Sequence, residues 1–166
     1  MHVPWAIDEA DLAVIGPADS RVQEIRTTHF PWNTVVHLCR DFGVGTCSGC
    51  SGILISPRRV LTAAHCLWSS ARGAPQRIFV VAGRRGRGTM PFGGVESRGF
   101  WIPRGFMTGP RRSEWDWGLI ILRHSVSRAL RRFLPIRALS HLLHRDLREQ
   151  GYISVVAYPS DRPVGA

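Results

Sequence analysis

Cys50-Ser51-Gly52-Ile53-Leu54-Ile55, five intervening residues, and then Leu61-Thr62-Ala63-Ala64-His65-Cys66 form the stretch on which the fold of this chain turns. Short apolar runs flank a Pro57-Arg58 turn, so 51–55 and 59–62 read as two neighbouring antiparallel strands. The small residues that follow, Ala63-Ala64, lead straight to a histidine with a cysteine behind it. A tight turn of small side chains after a strand lets an imidazole project from the rim of a sheet. Working outward, 34–39 reads as a strand that ends in the turn Asp41-Phe42-Gly43-Val44-Gly45, which makes 34–62 a β-meander. Further on, 78–82 and 119–122 are apolar strands, and 152–158 is another. The stretch 99–106 reads as an irregular edge because it mixes aromatics with Pro103. Between 127 and 150, leucines at 130, 134, 139, 143 and 147 among arginines predict one or two short helical turns.

The chain has 166 residues, 44% hydrophobic and 20% charged, which is the balance of a globular protein with a core of its own. Its 17 glycines and 11 prolines, together with short Val- and Ile-rich runs, point to many strands joined by turns, hence to an all-β class. All 22 basic residues are arginine against 12 acidic ones, giving a formal charge of +10. Such a field attracts acidic polymers in general. The arginine pairs are scattered, however, and no nucleic-acid motif accompanies them, so the reading is a solvated surface without a specific nucleic-acid site. No stretch approaches the ~20 consecutive apolar residues of a membrane span. The first twenty residues carry acidic groups where an export signal needs a basic start and an apolar middle, so no signal peptide is visible. Cys39, Cys47, Cys50 and Cys66 nevertheless suggest disulfides and an oxidising compartment. A second reading of Cys47-x-x-Cys50 with His65-Cys66 is a zinc site, since these four side chains offer a tetrahedral ligand set.

The 50–66 box closely resembles the segment around the general base of chymotrypsin- and trypsin-like serine proteases. It shares with them the Cys-x-Gly start, the hairpin length and the small-small-His-Cys turn. Trp115-Asp116-Trp117-Gly118-Leu119-Ile120-Ile121-Leu122 resembles the family's aspartate strand, with Asp116 at the matching position. Three further stretches narrow the likeness to the bacterial glutamyl-endopeptidase-like branch: Val14-Ile15-Gly16-Pro17-Ala18-Asp19-Ser20-Arg21, Phe30-Pro31-Trp32, and Val155-Val156-Ala157-Tyr158-Pro159-Ser160-Asp161. The resemblance implies a double β-barrel, with the first barrel near-complete and the second only begun. Its segments would be an N-terminal arm or propeptide remnant at 1–29, a first barrel at 30–125, and a linker with the start of a second barrel at 126–166. It also implies that His65 acts as general base and that Asp116 orients it. A Cys50–Cys66 disulfide would pin the histidine turn, worth about 3 kcal/mol by chain entropy. Cys39 and Cys47 flank a turn and are left open to bridge or not.

One departure bears on activity. The family's nucleophile lies in a Gly-x-Ser-Gly-Gly loop, and these 166 residues contain none. The resemblance places that loop beyond Ala166, and Ser160 lacks the flanking glycines and reads as a turn serine. The expectation is therefore the front portion of a secreted or periplasmic serine endopeptidase, inactive as it stands. Complete, such an enzyme would be a monomer that acts on protein or peptide substrates without metal or organic cofactor. The rival is a non-catalytic protease homologue that serves as a cationic binding protein.

Overall fold

The computed structural model describes residues 22–43, 45, 47–86, 88–109, 113–136 and 156–158. Among them lie six strands: β1 (Val35–Asp41), β2 (Cys47–Ser56), β3 (Arg59–Thr62), β4 (Arg77–Ala82), β5 (Gly94–Trp101) and β6 (Gly118–Leu122). They close into a barrel in the order β1-β2-β3-β6-β5-β4, with every neighbouring pair antiparallel. The barrel consists of two three-stranded meanders, β1-β2-β3 and β4-β5-β6. Two seams, β1 with β4 and β3 with β6, join them.

Alternation along the strands fills the interior. Val36 and Leu38 of β1, Leu54 of β2, Val60 of β3, Ile78 and Val80 of β4, Val95 of β5, and Ile120 and Leu122 of β6 are all buried in one core. Each such side chain contributes roughly 1.5–3 kcal/mol relative to leaving it in water, while Phe79 and Ile121, one residue out of phase, point outward and stay exposed. β2 is long enough to pair with β1 at one end and β3 at the other, and its register shifts between Leu54 and Ser56 as the sheet bends. At Gly52 a Cβ would come within 2.7 Å of Val60 Cγ1 and 3.1 Å of the Leu61 carbonyl, so only glycine lets β2 and β3 approach this closely.

The all-β class and the first barrel hold, with differences in detail. β2 begins at Cys47, four residues before the predicted start, because Cys47, Ser48 and Gly49 pair with Asp41, Arg40 and Cys39 although they carry no apolar alternation. The predicted irregular edge at 99–106 is corrected: β5 spans Gly94–Trp101 and is bonded on both sides, to β4 and β6. Pro103 precedes a short helix, α1 (Arg104–Thr108), where its fixed φ and missing N–H suit a helix entrance. Residues 127–136 form no helix, and the rest of the expected helical region, 137–150, lies outside the described residues. Of the strand expected at 152–158, only 156–158 is described, and these three residues belong to no strand. Ser160 and 14–21 also lie outside the described residues.

Residues 156–158 rest on the outer face of the barrel. The Tyr158 N–H donates to Ser51 Oγ at 2.7 Å and its hydroxyl donates to the Arg84 carbonyl at 3.2 Å. Its ring meets His37 edge-on, with centroids 5.3 Å apart. Burial pushes the Tyr158 phenol up to about 12, against the opposing effect of Arg84.

Candidate active site

The β3–β6 seam brings the two predicted site residues together. Thr62 pairs with Gly118, so continuing that antiparallel register by two residues places 116 alongside 64. After β3 the chain passes through extended Ala63 into a 3₁₀ turn, Ala64–Cys66, closed by Cys66 N–H to Ala63 O (3.1 Å) and Leu67 N–H to Ala64 O (2.8 Å). Ala64, Cys66 and Leu67 are buried, which leaves His65 facing solvent between them. Thr62 ties the approach down by donating from Oγ1 to the Ser51 carbonyl at 2.7 Å.

Gly118 makes the close packing possible. A Cβ there would lie 2.5 Å from Leu67 Cδ1 and 3.0 Å from Ile102 Cγ2, so a side chain at 118 would have to displace Leu67, which follows the histidine turn, and crowd Ile102. Asp116 itself follows a second 3₁₀ turn, Ser113–Trp115, and lies between the exposed rings of Trp115 and Trp117.

The Asp116 carboxylate grips His65 twice. Oδ1 accepts the His65 backbone N–H at 2.9 Å, and Oδ2 lies 2.7 Å from Nδ1 of the ring. A carboxylate can only accept, so Nδ1 carries the proton, and in the neutral ring Nε2 is left with its lone pair. No described residue hydrogen-bonds Nε2, and the His65 side chain is 49% exposed against 29% for Asp116. Partial burial of Asp116 opposes its ionisation. The hydrogen bonds from the His65 ring and from the backbone of His65 and Ala64 outweigh it, holding the carboxyl below its ordinary value of 3.8. A carboxylate behind an imidazole whose far nitrogen carries a lone pair open to solvent is an arrangement that can accept a proton there.

All four cysteines are bridged, Cys50 to Cys66 and Cys39 to Cys47, with Cα–Cα distances of 6.0 and 5.2 Å. The first bridge anchors the histidine turn to β2 and the second ties the ends of the β1–β2 hairpin. Cys50, His65 and Cys66 do cluster closely enough to suggest metal ligands. Their chemistry does not fit a metal, because both sulfurs are consumed in one disulfide, no thiolate remains, and Nδ1 of His65 already faces Asp116. The zinc reading of Cys47, Cys50, His65 and Cys66 fails on the same ground.

Sequence reasoning missed Arg40, a half-buried residue of β1. Its Nε and Nη2 donate to the Ser48 carbonyl (3.3 Å), Ser48 Oγ (2.8 Å) and the Gly49 carbonyl (2.8 Å), and Nη1 reaches the carbonyls of His65 (3.4 Å) and Cys66 (3.3 Å). In a chain with 22 arginines nothing in the pattern singles this one out.

The chain belongs to the trypsin-like serine protease family, whose Trypsin profile matches residues 20–102. Within that class it is similar to the glutamyl endopeptidase of Bacillus licheniformis, at 28% identity over 92% of this chain and 44% of that protein. It is also similar to a Bacillus subtilis protein named extracellular metalloprotease, at 32% identity over 68% of this chain and 36% of that protein. The chain thus spans less than half the length of these relatives. Among solved structures, a Glu endopeptidase in complex with MPD superposes with a TM-score of 0.66 at 25% identity, covering 78% of this chain and 57% of that one. The two disulfides and the extracellular name of one relative are consistent with secretion. No helix among the described residues is long and apolar enough to cross a membrane.

Proposed function

We infer that this chain carries the base half of a serine endopeptidase and that His65 and Asp116 are its general base and orienting carboxylate. The observation that carries the reading is the double contact of Asp116 with the backbone N–H and Nδ1 of His65, which leaves Nε2 open. In this mechanism Nε2 takes the proton from a serine hydroxyl as its oxygen attacks the peptide carbonyl. The resulting imidazolium, stabilised by Asp116, returns that proton to the leaving amine as the C–N bond breaks. Water, deprotonated by the same nitrogen, then hydrolyses the acyl-enzyme. The serine and the oxyanion donors come from sequence outside these 166 residues, which contain no Gly-x-Ser-Gly-Gly, so the chain alone does not hydrolyse peptides.

The segments follow the same reading: an arm at 1–29, the base-bearing barrel at 30–125, and the passage into a second barrel at 126–166. The complete protein is a secreted or periplasmic monomer acting on proteins or peptides. A chain extended through a second barrel that carries the serine loop tests this. Hydrolysis of a peptide ester is expected, with H65A lowering kcat by about 10⁶-fold and D116N by about 10⁴-fold. Full activity in H65A would remove the histidine from the mechanism, and a folded but inert extended chain would favour the cationic binding protein.

A further inference from the structure

We propose that Arg40 is a positioning residue for His65, holding the histidine turn against β2 through the carbonyls of His65 and Cys66. The inference rests on the catalytic reading of His65 and concerns how that side chain is kept in place.

A guanidinium has five N–H donors in a rigid plane. In Arg40 all five have acceptors: the Ser48, Gly49, His65 and Cys66 carbonyls and the Ser48 hydroxyl. None of these is a carboxylate, so this is not an ion pair, and no donor is left for an incoming anion. The residue instead collects main-chain acceptors from two segments that do not share a β-ladder, namely the start of β2 and the turn that carries His65. Both carbonyls it takes from that turn lie at the end of the 3₁₀ segment, where no following N–H satisfies them. The charge is held there despite burial, which together with nearby Arg72 makes Arg40 easier to deprotonate than an ordinary arginine. Arg72 shares the Phe42 ring with Arg40, its guanidinium carbon 4.1 Å from the ring centroid against 5.8 Å for Arg40.

Three devices therefore fix the turn: the Cys50–Cys66 bridge on Sγ of Cys66, Asp116 on the N–H and ring of His65, and Arg40 on the carbonyls of both residues. Asp116 fixes which way the imidazole points only if the backbone beneath it is still. Arg40 supplies that stillness through the carbonyls of residues 65 and 66.

The test uses proton NMR and amide exchange on the 166-residue chain, which needs no nucleophile. The Nδ1 proton shared with Asp116 should give a resolved low-field resonance that D116N abolishes. In R40M that resonance should broaden or vanish and the His65 amide should exchange at least about tenfold faster, while amides of the buried strand residues Leu38 and Val80 stay within about twofold of the parent. R40K, which offers three donors from a single atom, should fall between the two and carries the test if R40M does not fold. A low-field resonance and a His65 exchange rate unchanged in R40M, or in R40K where only that variant folds, overturn the proposal. Such a result leaves the catalytic reading standing. Conversely, an inert extended enzyme would not alter these spectra, so the two failures are distinguishable.

Discussion

Acidification should destabilise this barrel through His37 in particular. The residue lies on β1 between Val36 and Leu38, which face the core, and so points outward, yet it is only 5% exposed. Tyr158 covers it, and Nδ1 lies 2.9 Å from Nη1 of Arg84. Arginine can only donate, so Nδ1 accepts and the ring is neutral. Burial, and then the charge of Arg84, bring His37 down from 6.5 to about 4. The unfolded chain binds a proton near pH 6.5, whereas the folded chain refuses it until about pH 4. Stability is therefore full above about pH 6.5, falls by about 1.4 kcal/mol per pH unit below it, and levels off near pH 4 after a loss of about 3 kcal/mol. Urea unfolding at pH 7 and pH 4.5 should show this as a lowered midpoint. H37N keeps an acceptor near the place of Nδ1 but cannot titrate, so its loss over that interval should be smaller by about 2 kcal/mol. Equal losses in parent and variant would show that His37 is not held neutral, and would refute the account of the contact with Arg84 and Tyr158.

Other perturbations probe the site directly. G118A places a methyl group against Leu67 and Ile102 and should destabilise by about 1–3 kcal/mol in a thermal or urea melt, with the low-field His65 resonance weakened. An undiminished melt would mean that Leu67 yields easily. Replacing Cys50 and Cys66 together by serine should cost about 2–4 kcal/mol and speed exchange around 63–67 more than in β4, as read by mass-resolved hydrogen exchange. Because Asp116 is held below its ordinary 3.8, its carboxyl carbon should titrate below that value. The corresponding stability is present at and above the ordinary carboxylate range and is lost as pH falls through the lowered value; a midpoint at or above 3.8 contradicts the contacts drawn to His65.

Much of this was legible where side-chain type and backbone demand coincide. The 50–66 box combines glycine for strand approach, small residues for the turn and cysteines at both ends, and its resemblance to the protease family's histidine segment implied His65 and the Cys50–Cys66 bridge. Asp116 was legible through the resemblance of 115–122 to the family's aspartate strand rather than through any local pattern of its own. The start of β2 and the whole of β5 were not. Cys47-Ser48-Gly49 lacks any apolar face, and β5 turns a single fully buried residue, Val95, inward among Glu96, Ser97 and Arg98. The start of β2 is a strand because β1 offers it hydrogen bonds, and β5 because β4 and β6 do, which is tertiary information absent from local pattern. Arg40 and His37 were illegible for a related reason. Their roles depend on a carbonyl and a guanidinium brought from 25 and 47 positions away.

The division of the barrel into two meanders has a kinetic consequence. His65 hangs from the first meander and Asp116 leads into the last strand of the second, so the two cannot meet until the β3–β6 seam has zipped. Hairpins within each meander close short loops and can form early, whereas the seam joins residues some sixty positions apart and must wait for both halves. The imidazole–carboxylate hydrogen bond is thus a built-in timer for barrel closure: in refolding it should appear last, with β-structure in each half already in place.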